Sequence, residues 1–128
     1  MAQYAIAKVD DEKRTVFGWA YQCVDKQGNR VVDHSGEFIE PADLEDAMYG
    51  FVKESRESND MHNGPVTGVL IESMVFTKDK LEALGLPGDA LPQGAWVGFQ
   101  LDPDSYAKVK TGERTAWSIE GVAEKVAA

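Results

Sequence analysis

A serine hydroxyl and an imidazole are the groups in this chain whose types could carry nucleophilic chemistry. The stretch Arg114 to Ala123 is predicted as the last strand, with Trp117, Ile119 and Gly121 on one face and Ser118, Glu120 and Val122 on the other. Ser118 therefore points away from its bulky neighbours. Read alone, such a serine is usually structural or solvent-facing. It becomes a nucleophile only beside a base that accepts its proton near neutral pH, and imidazole does this best. The chain has two histidines, so His62 or His34 must serve. His62 sits in Met61-His62-Asn63-Gly64, on a loop entering a strand, where a side chain can face a cleft while the sheet holds its backbone; a solvated loop histidine is the ordinary alternative.

The totals narrow the setting. A chain of 128 residues fits one domain around a single core. With 43% apolar and 27% charged residues the balance is that of a globular protein. Thirteen basic against twenty-two acidic residues give a net charge of −9, which opposes attraction to nucleic acid and to anionic membranes. The single Cys23 forms no intrachain disulfide, and no Cys/His spacing suggests zinc, so neither a metal nor another cofactor is expected and a reducing compartment is the natural setting. The amino terminus lacks the basic and apolar regions of a signal peptide, and no stretch approaches the roughly 20 apolar residues of a membrane span.

The elements that must position these groups are strands interrupted by short helices. Gln3 to Val9 and Thr15 to Val24 read as a hairpin around the polar turn at Asp10 to Lys13. Alternation in its second strand sets Phe17, Trp19, Tyr21 and Cys23 on one face. A turn at Asp25 to Asn29 leads to an extended piece, Arg30 to Asp33, and a loop from His34 to Glu37. Pro41 opens a helix to about Arg56, with Leu44, Met48, Phe51 and Val52 as its apolar stripe. Glu54 to Gly64 is a polar loop ahead of a long strand, Val66 to Thr77. Thr77 caps a short helix that Gly85 and Pro87 stop; Leu86 to Gly94 is a loop, and Ala95 to Leu101 another strand. Asp102-Pro103 starts a helix carrying Tyr106 and Val109, ended by Gly112. Without regular βαβ alternation, this order predicts an α+β domain on a mostly antiparallel, β-barrel-like sheet with short flanking helices.

Five blocks occur in an ordered series: Asp33-His34-Ser35-Gly36-Glu37-Phe38-Ile39-Glu40-Pro41, Met61-His62, Val69-Leu70-Ile71-Glu72-Ser73-Met74-Val75-Phe76-Thr77, Trp96-Val97-Gly98-Phe99 and Trp117-Ser118-Ile119-Glu120-Gly121. This series resembles the XkdF-like phage serine proteases, from about Phe17 to Ala123, and implies that residues 1–128 form a single domain of that kind. The family in turn resembles the prohead (capsid maturation) proteases and the herpesvirus assemblin fold, a small β-barrel wrapped by helices. The resemblance puts the catalytic histidine on His62 and the serine on Ser118. Glu37 stands where the family's opening loop usually has aspartate. A triad also needs a group to orient the imidazole; Glu72 on the strand after His62 is the first candidate and Asp33 the next, with His34 the only residue available as the second histidine that assemblin-like enzymes use, Glu120 lining the site beside Ser118, and a member beyond residue 128 also open.

The resemblance implies a phage or prophage endopeptidase that cuts scaffold and capsid protein, acting in the cytoplasm of the bacterial host within the assembling procapsid and able to form a homo-oligomer, with no nucleic-acid or membrane partner. Two other classes stay open: an inactive relative that binds capsid or scaffold, and a small-molecule barrel lined by Trp19, Trp96 and Trp117.

Overall fold

The computed structural model describes residues 4–32, 35–54, 57–59, 66–112 and 116–117. In chain order the elements are β1 (Tyr4–Asp10), β2 (Thr15–Val24), α1 (Pro41–Glu54), β3 (Glu57–Asn59), β4 (Val66–Phe76), α2 (Lys78–Ala83), β5 (Gln93–Leu101), α3 (Pro103–Lys110) and β6 (Ala116–Trp117). The strands form one six-stranded sheet in the order β3-β4-β5-β2-β1-β6, and every pair is antiparallel. The domain is α+β, as the sequence predicts. Among the described residues the sheet is open, with β3 on one edge and β6 on the other.

The sheet's two faces differ because the strands alternate. On β5, Ala95, Val97 and Phe99 are fully buried and Leu101 nearly so. They meet Leu44, Ala47, Met48 and Phe51 of α1, which the connection from β2 to β3 carries over the sheet. Phe51 and Phe99 meet edge to face, with ring centroids 6.4 Å apart.

On β2, Tyr21 and Cys23 join this helix-facing core, whereas Phe17 and Trp19 do not. That corrects the expectation of one shared face for all four. The cause is a register shift between Trp19 and Tyr21: an extra residue reverses the side-chain alternation beyond it. Phe17 and Trp19 turn to the other face, where Trp19 stacks edge-on against Trp96 and Phe76, at 5.5 and 6.0 Å between centroids.

Local signals set the helix ends. Thr77 Oγ1 accepts from the Lys80 N–H at 3.3 Å, and Asp102 Oδ1 accepts from the Ser105 N–H at 2.7 Å just ahead of Pro103. Gly85, at φ 84°, closes α2 with the Leu86 N–H bonded to Leu81 O at 2.9 Å and its own N–H to Glu82 O at 3.0 Å. One strand was not expected: β3 occupies part of the predicted polar loop, pairing Glu57 with Val69 and Asn59 with Val66.

Gly94 allows the closest approach in the sheet, because a Cβ there would collide with the main-chain oxygen of Tyr21. The atoms in the way are β2 main chain, Tyr21 and Gln22, which cannot swing aside as a side chain could. Gly94→Ala is expected to cost about 2–3 kcal/mol, read as a lower urea midpoint with an unchanged slope; a loss within about 0.5 kcal/mol would mean that β2 and β5 can separate here.

Candidate active site

The ladder fixes where the described neighbours of the predicted catalytic groups lie. β6 extends the sheet outside β1, with Ala116 opposite Ala5 and Trp117 opposite Tyr4, and Ser118 is the next residue in the chain. Asn59 and Val66 pair with each other at the other edge, and the chain between them contains His62. His62 and Ser118 themselves lie outside the described residues, as do Asp33, His34, Arg114 and Glu120.

Glu72 is described. It is exposed on β4, opposite Gly98 of β5, on the face of the sheet that carries Phe17 and Trp96. A Cβ at Gly98 would stand 2.6 Å from the Phe17 ring, so the glycine leaves room for that ring to lie against β5. Among the described residues Glu72 has no ion-pair partner. Glu37, in the opening loop, is also exposed. Trp19 and Trp96 come together on the same face, while the side chain of the third tryptophan, Trp117, lies outside the described set.

Three further groups could in principle serve acyl transfer, and their surroundings remove them. Lys80 Nζ donates to Glu45 Oε2 at 2.7 Å, Tyr49 Oη at 3.0 Å and the Val75 carbonyl at 3.1 Å. Burial pulls its pKa down, but the bonds to Glu45 and Tyr49 outweigh this and the net shift is upward. Held as a cation, it is no general base. Tyr106 donates its hydroxyl proton to Asp11, which also pairs with Lys110 at 3.0 Å. Burial and the Asp11 carboxylate push Tyr106 up to about 12, while the Tyr106 and Lys110 bonds lower Asp11. This cluster ties the β1–β2 turn to α3. Neither polar cluster was visible in the sequence, because Glu45 and Lys80, like Asp11 and Tyr106, meet only through the fold.

Cys23 is the third. It is fully buried, and burial first, with Glu40 and Asp43 adding, pushes its thiol up to about 12. Among the described residues no group of three His, Cys, Asp or Glu side chains could hold a metal ion, and no helix is long and apolar enough to cross a membrane.

These observations define an α+β domain on an antiparallel sheet, with Ser118 next in the chain after the edge strand β6 among the described residues. The comparisons name the family. A family model described as "Putative phage serine protease XkdF" matches residues 3–127, and the chain belongs to that family. It is 31% identical over 124 residues to "Uncharacterized protein YqbD" of Bacillus subtilis (strain 168), covering 94% of this chain and 35% of that protein. It is 29% identical over 116 residues to "Phage-like element PBSX protein XkdF" of the same organism, covering 89% of this chain and 38% of that protein. The chain thus spans little more than a third of the length of these curated relatives. No solved structure matches it.

Because a thiol reacts as the thiolate, a pKa near 12 leaves Cys23 only about one part in ten thousand ionised at pH 8. The native protein is therefore expected to show no fast thiol reaction with a disulfide reagent at pH 8 and one equivalent after denaturation. Rapid reaction in the native state would contradict the burial of β2 at this position.

Proposed function

We propose that this domain is a serine endopeptidase of phage or prophage origin, with Ser118 as nucleophile and His62 as general base. The observation that carries the reading is the family match over residues 3–127, which takes in both residues. His62 removes the Ser118 hydroxyl proton as Oγ attacks the peptide carbonyl carbon, and the protonated imidazole then gives that proton to the departing amine. The C–N bond breaks and an acyl-enzyme forms. His62 next deprotonates water, which attacks the ester carbon; the C–Oγ bond breaks, the imidazolium returns its proton to Ser118 Oγ, and the new carboxyl end is released. Glu72 or Asp33 orients the imidazole. Main-chain N–H groups are the natural donors to the oxyanion.

The dyad makes a demand on the fold. Six strands give five ladder steps between the β3 and β6 edges, roughly 24 Å at about 4.8 Å per step if the sheet were flat. Ser118 and His62 meet if the sheet curls so that these edges approach, the barrel-like, assemblin-like closure that the family resemblance implies. Curling of this kind needs bulges and close glycine contacts, and the ladders shift register in β1, β2, β3 and β4.

The substrates in this reading are scaffold and capsid polypeptides inside the assembling procapsid, in the cytoplasm of the bacterial host, and the enzyme is able to form a homo-oligomer. The net charge of −9 disfavours nucleic acid and anionic membranes as partners.

The test is cleavage of a denatured, scaffold-like polypeptide by the parent protein and by Ser118→Ala and His62→Ala. Each substitution is expected to lower turnover by about a thousandfold or more with the folded signal retained. Undiminished cleavage by Ser118→Ala would falsify the mechanism.

A further inference from the structure

We propose that Tyr106 and Asp11 are positioning residues for the strand that leads to Ser118: by holding α3 on the β1–β2 turn they set the register of β6 on β1. The proposal rests on the protease reading only for what that register serves; the tie itself is independent of it.

The part of the chain that follows β5 binds β1 at both ends. At one end the β1–β2 turn meets the β5–α3 junction, and at the other Tyr4 and Ala5 pair with Trp117 and Ala116. The first contact has many bonds. Leu101 gives its N–H to Arg14 O at 2.9 Å, Arg14 Nε donates to Leu101 O at 3.1 Å, and Gln100 Nε2 donates to Lys13 O at 3.1 Å. Arg14 stands at φ 55°, a left-handed conformation that residues other than glycine seldom adopt, and its two bonds to Leu101 hold it there. They fix the turn against the start of α3, where Asp102 caps the helix. The Asp11 carboxylate accepts from the Tyr106 hydroxyl and pairs with the Lys110 ammonium at 3.0 Å, so α3 is held from its cap to its last residue. Tyr106, Val109 and Lys110 share one side of the helix, and Tyr106 and Val109 seat that side on the core.

Register between antiparallel strands is set by side-chain pattern or by the length of chain that joins them. Pattern does not settle it here: β1 begins Tyr4-Ala5-Ile6-Ala7, so by residue type alone Ala116 would match Ala5 or Ala7 equally. Length does. With α3 fixed at one end of β1, the five residues 111–115 that separate Lys110 from Ala116 deliver Ala116 to Ala5. A slip of β6 by one residue reverses the face of each side chain in the ladder, and a slip of two displaces it by about 7 Å along β1. Ser118 follows directly on the pair Trp117–Tyr4, and neither displacement is compatible with a hydroxyl held within hydrogen-bond reach of an imidazole.

The experiment reads the register by disulfide formation in the whole protein with Cys23→Ser. Ala116→Cys is combined in turn with Ala5→Cys, Ala7→Cys and Gln3→Cys, and closure in a glutathione buffer is measured for each. The Ala5 pair is expected to close at least about a hundredfold more favourably than the other two, because only directly opposed residues meet disulfide geometry. Tyr106→Phe, which keeps the buried ring and removes only the hydroxyl, and Asp11→Ala should each shrink that preference at least about tenfold. The double variant should match Asp11→Ala, since both changes break the same bond. Each preference is a comparison within one background, so it does not follow from lowered stability. A lower urea midpoint with the preference unchanged is what a merely structural brace gives, and it overturns the proposal; additive losses in the double variant do so too. With Ala5, Ala116 and Cys23 native, Tyr106→Phe should lower kcat about tenfold at unchanged KM. A register that shifts in a protein that cleaves nothing supports the tie and removes the protease reading. Ser118-dependent cleavage with the preference unmoved by Tyr106→Phe does the reverse.

Discussion

Everything in this domain hangs on β5 being enclosed on both edges and against α1. It hydrogen-bonds to β2 on one side and β4 on the other, and its row of Ala95, Val97, Phe99 and Leu101 forms the floor on which α1 sits. Burying Phe99 and Phe51 contributes about 1.5–3 kcal/mol each. The opposite row has Gly94 and Gly98, where β2 and the Phe17 ring come too close for a side chain. Small residues on one face and apolar ones on the other are thus two consequences of a single central position. The Trp19, Trp96 and Phe76 cluster follows from it as well, since only the close pairing of β2, β5 and β4 brings those rings together.

The parts legible in the sequence were those with local causes. Thr77, Asp102-Pro103 and Gly85 announced the helix ends through capping chemistry that needs no tertiary contact. The stripe of Leu44, Met48 and Phe51 announced the buried side of α1. Glu57 to Asn59 gave no such sign, because three polar residues become a strand only where a ladder already waits, here along the start of β4. The bulge after Trp19 was hidden for a related reason: alternation read along a sequence carries no mark of an inserted residue. Strand order, which sets β3 and β6 at opposite edges, depends on pairings far apart in the chain.

The candidate catalytic pair was legible differently. Neither Ser118 nor His62 stands out by residue type or local pattern. Their assignment came from an ordered set of blocks, and the family match over residues 3–127 supports that order. Glu72 could be located on an exposed strand face, but strand alternation says nothing about which side chain it would partner. Among the described residues the ionisable groups with shifted acidity, Lys80, Tyr106, Asp11, Glu45 and Cys23, are held in forms that brace the fold or lie buried.

Serine protease chemistry here comes down to whether the two ends of an antiparallel ladder meet. The most direct measurement is thiol cross-linking of His62→Cys/Ser118→Cys in a Cys23→Ser background, with bifunctional reagents of graded span. A dyad requires efficient intramolecular cross-linking with spacers of about 10 Å or less, since the reacting atoms must come within hydrogen-bond reach. Cross-linking that begins only with spacers near the roughly 24 Å of five flat ladder steps would contradict the account.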